Sequence, residues 1–252
     1  MNRMQAVFRT DIGQIREYNE DSGGVFANQS GQYLAVVADG MGGHRAGDVA
    51  SAMAVAYLQQ QWEQERHLSS PTEAEQWLKS HIAVANERLL RHALSHPECQ
   101  GMGTTVVVAI CTSSFVTIAH IGDSRCYLLN QNGIQQLTDD HSLVNELVKS
   151  GQISKEDAEH HPRKNVLLRA LGTEPAVKID VKTVSIDEDD MLLLCSDGLS
   201  NKVPEADIVH ILTSGGTLEE KAEALIDLAN ERGGEDNISL AVIDFSSERE
   251  GG

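Results

Sequence analysis

Two runs rich in β-branched residues, Thr104 to Cys111 and Phe115 to Ile121, are separated by only Thr112-Ser113-Ser114. A parallel crossover needs about a dozen residues or more, so so short a link demands an antiparallel hairpin. That disfavours a doubly wound parallel sheet. Other runs of strand length, bounded by turn residues, lie at Leu34 to Ala38, Cys126 to Leu129, Met191 to Cys195 and Ser239 to Phe245. Between them come helical stripes. Val49, Ala52, Met53, Ala56 and Tyr57 form one, and Ala74, Trp77, Leu78, Ile82, Ala85 and Leu89 a second. The second opens with Ser70-Pro71-Thr72-Glu73, a capping box with Pro at the first helical position. A third helix opens at Thr217-Leu218-Glu219-Glu220, turns Ala222, Leu225, Ile226 and Ala229 inward, and stops at Gly233-Gly234. Antiparallel strands interleaved with helix pairs fit two sheets packed face to face and covered by helices. The fold class is therefore expected to be α+β, a four-layer α-β-β-α sandwich of two mainly antiparallel sheets flanked by helix pairs.

With 252 residues, 40% of them hydrophobic, and no Pro/Ser/Gly-rich linker, the chain is expected to form one domain over residues 1–252. From His141 to Leu171 the composition turns charged and His-rich, which marks an excursion from the core. Acidic residues outnumber basic ones, 38 to 20, for a net charge of −18. A phosphate-backbone partner would be repelled, so nucleic acid is disfavoured as a ligand. Cys99, Cys111, Cys126 and Cys195 stand apart with no C-x-x-C pair, which suggests reduced thiols rather than a disulfide framework or a zinc site. No apolar run approaches membrane-spanning length and Met1 to Thr10 has no signal-peptide core, so a cytoplasmic protein without membrane insertion is expected. Lacking a coiled-coil seam, it is expected to be a monomer.

Acidic residues recur at the ends of the apolar runs. Asp39 closes Ala35-Val36-Val37-Ala38 and precedes Gly40; Asp123 follows Ile118 to Gly122; Asp197 follows Leu192 to Ser196; Asp236 sits in Gly233-Gly234-Glu235-Asp236-Asn237. Mg²⁺ and Mn²⁺ take oxygen ligands in near-octahedral geometry, and a few carboxylates with one backbone carbonyl suffice. Asp39-Gly40 offers both, the glycine leaving its carbonyl open to close approach. Two such cations about 3.5–4 Å apart can share a water and lower its pKa for in-line attack on phosphorus. Each Asp-Gly alone is better read as an ordinary turn; the recurrence of a strand followed by Asp, together with the Arg16 segment near the N-terminus, favours the metal reading. The segment Thr10 to Asp21 adds Arg16, a fork of donors suited to phosphate, and Glu20 and Asp21, acceptors for metal-held waters. Taken alone it is a charged loop with an Arg16/Glu20 pair at i,i+4.

Other phosphatase chemistries lack their residues. A Cys nucleophile needs an Arg six positions on, where Cys195 has Asn201. Neither D-x-D-x-T, a G-x-x-x-x-G-K-[ST] loop, nor a G-x-S-x-G elbow occurs. Metal-activated water keeps its ligands.

Arg16-x-x-Asn19-Glu20-Asp21, Asp39-Gly40-Met41-Gly42-Gly43-His44, Gly101-Met102-Gly103-Thr104-Thr105, Ile121-Gly122-Asp123-Ser124-Arg125, Ser196-Asp197-Gly198 and Gly234-Glu235-Asp236-Asn237 together resemble the PPM family, the type 2C metal-dependent protein phosphatases. The resemblance spans nearly the whole chain, in order. It is similar above all to the single-domain bacterial branch that opposes membrane-anchored Ser/Thr kinases in signalling. It implies an α-β-β-α sandwich and hydrolysis of phosphoserine and phosphothreonine in proteins. By the same resemblance Asp39 bridges two core Mn²⁺ or Mg²⁺ ions, completed by the Gly40 carbonyl, Asp197 and Asp236. Asp123 joins Asp197 at a third, weaker cation. Arg16 binds the substrate phosphate, and Glu20 and Asp21 anchor metal-held waters. Met41 stands where many relatives carry His, so the proton donor is left between His44, a metal-held water and neither, with His44 then only packing its loop.

The excursion from His141 to Leu171 corresponds to the variable flap of bacterial members, and the resemblance places it beside the active site. Its His160-His161-Pro162-Arg163-Lys164 cluster is basic on an acidic protein and either meets a phosphopeptide, with His161 as a contact, or is a solvated turn. Arg169 either reaches substrate or caps a helix C-terminus. The leading function is a metal-dependent protein Ser/Thr phosphatase. The alternatives are a catalytically silent phosphoprotein- or cation-binding regulator and a small-molecule phosphoesterase.

Overall fold

In the computed structural model of the chain, which describes residues 4–43 and 46–246, two antiparallel sheets stack face to face between helices. The expected hairpin is there: β5 (Val106–Cys111) pairs antiparallel with β6 (Phe115–Ile121), Cys111 opposite Val116. The Thr112 hydroxyl closes the turn, accepting from Phe115 N at 3.0 Å. One sheet runs β2 (Asp21–Ala27), β3 (Tyr33–Met41), β5, β6 and β9 (Asp180–Ser185), with the short β4 (Gly103–Thr104) on the end of β3. The other runs β1 (Gln5–Asp11), β11 (Ile238–Asp244), β10 (Met191–Cys195), β7 (Arg125–Asn130) and β8 (Gly133–Gln136).

Three apolar layers follow from the strand period, in which alternate side chains face opposite ways. Val37, Val107 and Ile118 from one sheet meet Leu128, Leu194 and Ile243 from the other in the central layer. Behind the first sheet, Leu34, Val36 and Val108 pack on α1 (Ala46–Gln64) and α2 (Pro71–Ser95). There Trp62 meets Trp77 edge to face at 5.1 Å and donates its indole N–H to Phe26 O, an arrangement that gains beyond area burial. Behind the second sheet, Leu193, Leu240 and Val242 pack on α6 (Glu205–Leu212) and α7 (Leu218–Glu231). The four-layer sandwich is thus the one the hairpin argument leads to.

Differences are local. Four strands, β1, β2, β8 and β9, lie outside the expected runs, and in β2 the cause is visible. Its Gly23 has no room for a side chain, since a Cβ there would meet Val36 O at 2.4 Å and the Phe8 ring at 2.5 Å. The strand therefore lacks the β-branched signature that marks its neighbours. The run from Thr104 is divided between β4 and β5 at Thr105, whose hydroxyl accepts the Asp39 N–H at 2.9 Å in place of a ladder carbonyl. At α2 the cap is only half a box. Ser70 accepts from Glu73 N, but the Glu73 carboxylate takes the Ser69 N–H at 2.7 Å rather than that of Ser70. Around Thr217 and Glu220 both halves form.

The excursion holds α3 (Leu143–Lys149) and α4 (Lys155–Glu159), neither of which buries a residue. Its own two ends pair at the isolated bridge Ser142 to Leu167, and it rejoins the core at the bridge Thr104 to Leu171. A short α5 (Asp197–Ser200) follows β10. Among the described residues no helix is long and apolar enough to cross a membrane.

Candidate active site

The antiparallel order brings one end of five strands together. Asp39 lies near the end of β3, Asp21 opens β2, Asp123 follows β6, Asp197 follows β10, and Asp236 precedes β11. Asp21 and Asp39 are direct partners in the β2–β3 register. The carboxylates repel one another, and burial compounds the effect. Asp39 is held well above the usual carboxylate range, first by burial and then by Asp21, Asp197, Asp236 and Asp123. Burial pushes Asp21 up to about 7 against the hydroxyl donors Ser196 and Ser239, and pushes Asp123 up to about 7 with Asp197 adding to it. Asp197 and Glu20 are also raised, chiefly by burial, although Arg16 opposes the rise at Glu20.

A group of like charges in low dielectric is costly unless something cationic compensates. The residues fit a pair of divalent cations on two further grounds. Buried oxygens Asp21 Oδ1, Glu20 Oε1 and Asp197 Oδ1 have no hydrogen-bond partner, and such groups normally have one or hold an ion. The Gly40 backbone is pressed so close to Gly47 and Glu20 that a Cβ on Gly40 would lie 2.0 Å from Gly47 O and 2.6 Å from Glu20 O. Any side chain at Gly40 would push the first turn of α1 away from Glu20.

Hydrogen bonds from the rims hold this group in place. Thr104 Oγ1 and Thr105 N donate to Asp39 O at 2.9 and 2.8 Å. Thr105 Oγ1 lies 2.7 Å from Ser124 Oγ, tying the Asp39 strand to the Asp123 turn. Ser196 donates to Asp21 Oδ2 at 2.7 Å and accepts from Ser239 N. Arg16, half exposed, donates from Nη2 to Asp236 Oδ2 at 2.8 Å and from Nε to Glu235 O at 3.3 Å. A guanidinium at that edge faces whatever approaches the carboxylates from solvent.

Of the flap residues singled out in the sequence, neither joins this group. His161 accepts from Arg163 N at 3.1 Å within its own turn. Arg169 Nη1 lies 3.2 Å from both Asp180 Oδ1 and His141 Nε2, at the root of the excursion. His44 lies outside the described residues. Between flap and core a groove of about 720 Å³ opens, with Asp123 and Asp197 on one wall and Asn145, Lys155, His160 and Lys164 on the other.

Five residues that sequence reasoning gave no role adjoin the site: Ser196, Asn237, Thr105, Ser124 and Asp48, whose charge adds to that around Glu20. The first four stand inside the quoted motifs, and Ser196, Asn237 and Ser124 directly adjoin an Asp, which was the available signal. A second tight cluster, His120, His141 and Asp180, has ligand atoms within 4.8 Å of one another. It is already held by hydrogen bonds. Gly122 N donates to His141 Nδ1, His141 Nε2 meets Asp180 at 3.1 Å, and the Arg169 guanidinium sits against both, which leaves no place for a cation.

A family model for Protein phosphatase 2C matches residues 15–231. The chain is 53% identical over 241 residues to the serine/threonine phosphatase stp of Listeria welshimeri, covering 96% of each. Its structure is similar to that of the serine/threonine phosphatase Stp1 from Staphylococcus aureus, with a TM-score of 0.91, 41% identity, and coverage of 96% of this chain and 94% of that one. It is also similar to the catalytic domain of the serine threonine protein phosphatase PstP in complex with 2 manganese ions, with a TM-score of 0.83, 34% identity, and coverage of 96% and 97%.

Proposed function

This chain belongs to the protein phosphatase 2C family, and from that premise we propose that it hydrolyses phosphoserine and phosphothreonine in proteins by means of a metal-activated water. The observation that carries the reading is the cluster of carboxylates at one end of the sandwich, Asp21 buried and the others half-buried, with unpartnered buried oxygens on Asp21, Glu20 and Asp197. Asp39, the Gly40 carbonyl, Asp197 and Asp236 would hold two core cations, and Asp123 with Asp197 a third, weaker one. Glu20 and Asp21 would hold waters around them. Bound there, Mn²⁺ or Mg²⁺ supplies neutralising charge for the phosphoryl oxygens and a water whose pKa falls toward about 7.

What the chain itself does is position and orient. Arg16, held at the exposed edge by Asp236 Oδ2 and Glu235 O, would offer its remaining donors to the oxygens of a phosphate. A group in that grip has lost most of its rotational freedom before reaction, which accounts for a large part of any rate gain. Residues 141–171 form the flap of one catalytic domain spanning residues 1–252. His161 on its turn, and Arg169 through its hold on the flap root, shape the approach of the protein substrate. The protein works in the cytoplasm as a monomer, opposing a membrane-anchored bacterial Ser/Thr kinase.

The test is hydrolysis of a phosphothreonine peptide by the purified chain with Mn²⁺, with and without chelator. Turnover that appears with Mn²⁺ and vanishes on chelation supports the reading. Turnover that survives metal removal overturns it, and a preference for free phosphoserine or nucleotides over the peptide would make the chain a small-molecule phosphoesterase.

A further inference from the structure

Asn237 is 3% exposed, and its amide is fully engaged with a single loop. Nδ2 donates to Ile12 O and to Tyr18 O, both at 2.9 Å, while Oδ1 accepts from Glu20 N at 2.8 Å. The two carbonyls flank Arg16 in sequence, so one nitrogen closes the loop that carries it. Asn237 N donates to Asp236 Oδ1 at 2.8 Å, and the other oxygen of that carboxylate receives Arg16. Nearby contacts leave no slack. Gln14 N donates to Gly234 O at 2.7 Å, a Cβ on Gly13 would meet Asp236 O at 2.3 Å, and a Cβ on Gly198 would meet Asn237 O at 2.0 Å.

We propose that Asn237 is a positioning residue for substrate phosphate, holding the Arg16 loop against Asp236 so that the guanidinium is presented in one place. The proposal rests on the reading of Arg16 as the phosphate-binding group. Only an amide suits the position, because it offers two donors and an acceptor from one flat group. An Asp there would keep the acceptor for Glu20 N but set a carboxylate oxygen against two carbonyls, opening the loop at both ends. Arg16 would then have to be ordered by the substrate itself, and a displacement of even about 1 Å in such a group costs heavily in rate.

The experiment is a double-mutant cycle on the full chain loaded with Mn²⁺. Asn237→Asp and Arg16→Ala are made singly and together, and KM for a phosphothreonine peptide and inhibition by inorganic phosphate are measured. The Asn237→Asp change is expected to raise both constants by roughly 10-fold or more, a size usual for outer partners of a site. Combined with Arg16→Ala it is expected to add less than about 2-fold, because residues acting through one interaction are not additive. Full additivity, or unchanged constants in Asn237→Asp, would overturn the positioning role. If Arg16→Ala alone leaves both constants unchanged, the phosphate role of Arg16 fails instead. Should Asn237→Asp not fold, Asn237→Ser takes its place in the cycle, and the same outcomes decide.

Discussion

Asp21 and Asp39 stand directly opposite one another in the β2–β3 ladder, at the buried end of the sheet. Like charges at facing positions of an antiparallel pair are destabilising, and here burial keeps water from screening them. Asp197, Asp236 and Asp123 add to the repulsion at Asp39. A fold that accumulates such a cost on five separate strand ends is arranged around a positive charge that must arrive from outside.

Replacing Asp39 with Asn therefore separates folding from function. Asn is isosteric and neutral, so the backbone bonds from Thr104 and Thr105 to residue 39 remain. Peptide phosphatase activity should fall by at least about 100-fold, the upper range for loss of even an outer partner of a metal. The metal-free chain should meanwhile melt higher than the parent, because Asn has no ionisation for burial and the neighbouring carboxylates to suppress at a cost. Circular dichroism and a thermal melt read the second effect; a lower melting point in the metal-free variant would contradict the electrostatic account.

Acidity should stabilise the metal-free chain for the same reason. Asp21 and Asp123 keep their protons up to about 7 when folded, against an ordinary value of 3.8. Between these values the folded chain binds more protons than the unfolded one, so stability falls as pH rises from about 4 to about 7. Melting in chelator should thus occur at higher temperature at pH 5 than at pH 8, each kcal/mol corresponding to roughly 2–4 °C for a chain of this size. With saturating Mn²⁺ the slope should reverse, because the cation binds the ionised form. Identical slopes in the two conditions would mean that these carboxylates are not where the metal binds.

Ser196 is the simplest probe of the support around the carboxylates. Its hydroxyl donates to Asp21 and receives Ser239 N–H from the neighbouring strand. Ser196→Ala leaves that amide unpaired, a loss of about 1–3 kcal/mol, and frees Asp21 to turn. Manganese affinity should drop roughly 10- to 100-fold, measured by calorimetry at a pH where the variant is fully folded. Unchanged affinity with a lowered melting point would reduce Ser196 to a role in folding alone.

The sandwich was legible because its central strands are buried on both faces, and such strands read as continuous β-branched runs. Met191–Cys195 and Phe115–Ile121 have the same bounds in sequence and structure. Strands β2 and β9 were not legible, since one carries paired glycines and the other is a half-buried edge. Within the site, the Asp positions stood out by their recurrence after apolar runs. Asn237 and Ser196 did not, because their importance lies in which distant groups they meet, the Glu20 backbone N–H and the Asp21 carboxylate, at separations of 217 and 175 residues. A local pattern carries no trace of such partners.

Arg169 links the flap to the core rather than to the carboxylates, and its removal should show in substrate choice. Its guanidinium lies against Asp180 and His141, while His141 holds Gly122, the residue before Asp123, through both its ring and its backbone N–H. Burial keeps His141 below the usual histidine range, and its Nδ1 accepts from Gly122, so the ring is neutral near pH 7 with its proton on Nε2 toward Asp180. Arg169→Ala removes a hydrogen bond to a charged group, about 1.5–3 kcal/mol. The flap root should loosen while the carboxylate cluster stays intact. On the proposal that a phosphothreonine peptide lies along the flap groove, its KM should rise by about 10-fold, the equivalent of 1.4 kcal/mol. Turnover of a small aryl phosphate, which has no need of the groove, should change by less than about 2-fold. Arg169→Lys should recover only part of the loss, since an ammonium keeps a charged donor for Asp180 but lacks the flat guanidinium that lies against His141. Equal losses for peptide and aryl phosphate would place the effect of Arg169 at the carboxylate cluster instead, transmitted through His141 and Gly122 to Asp123.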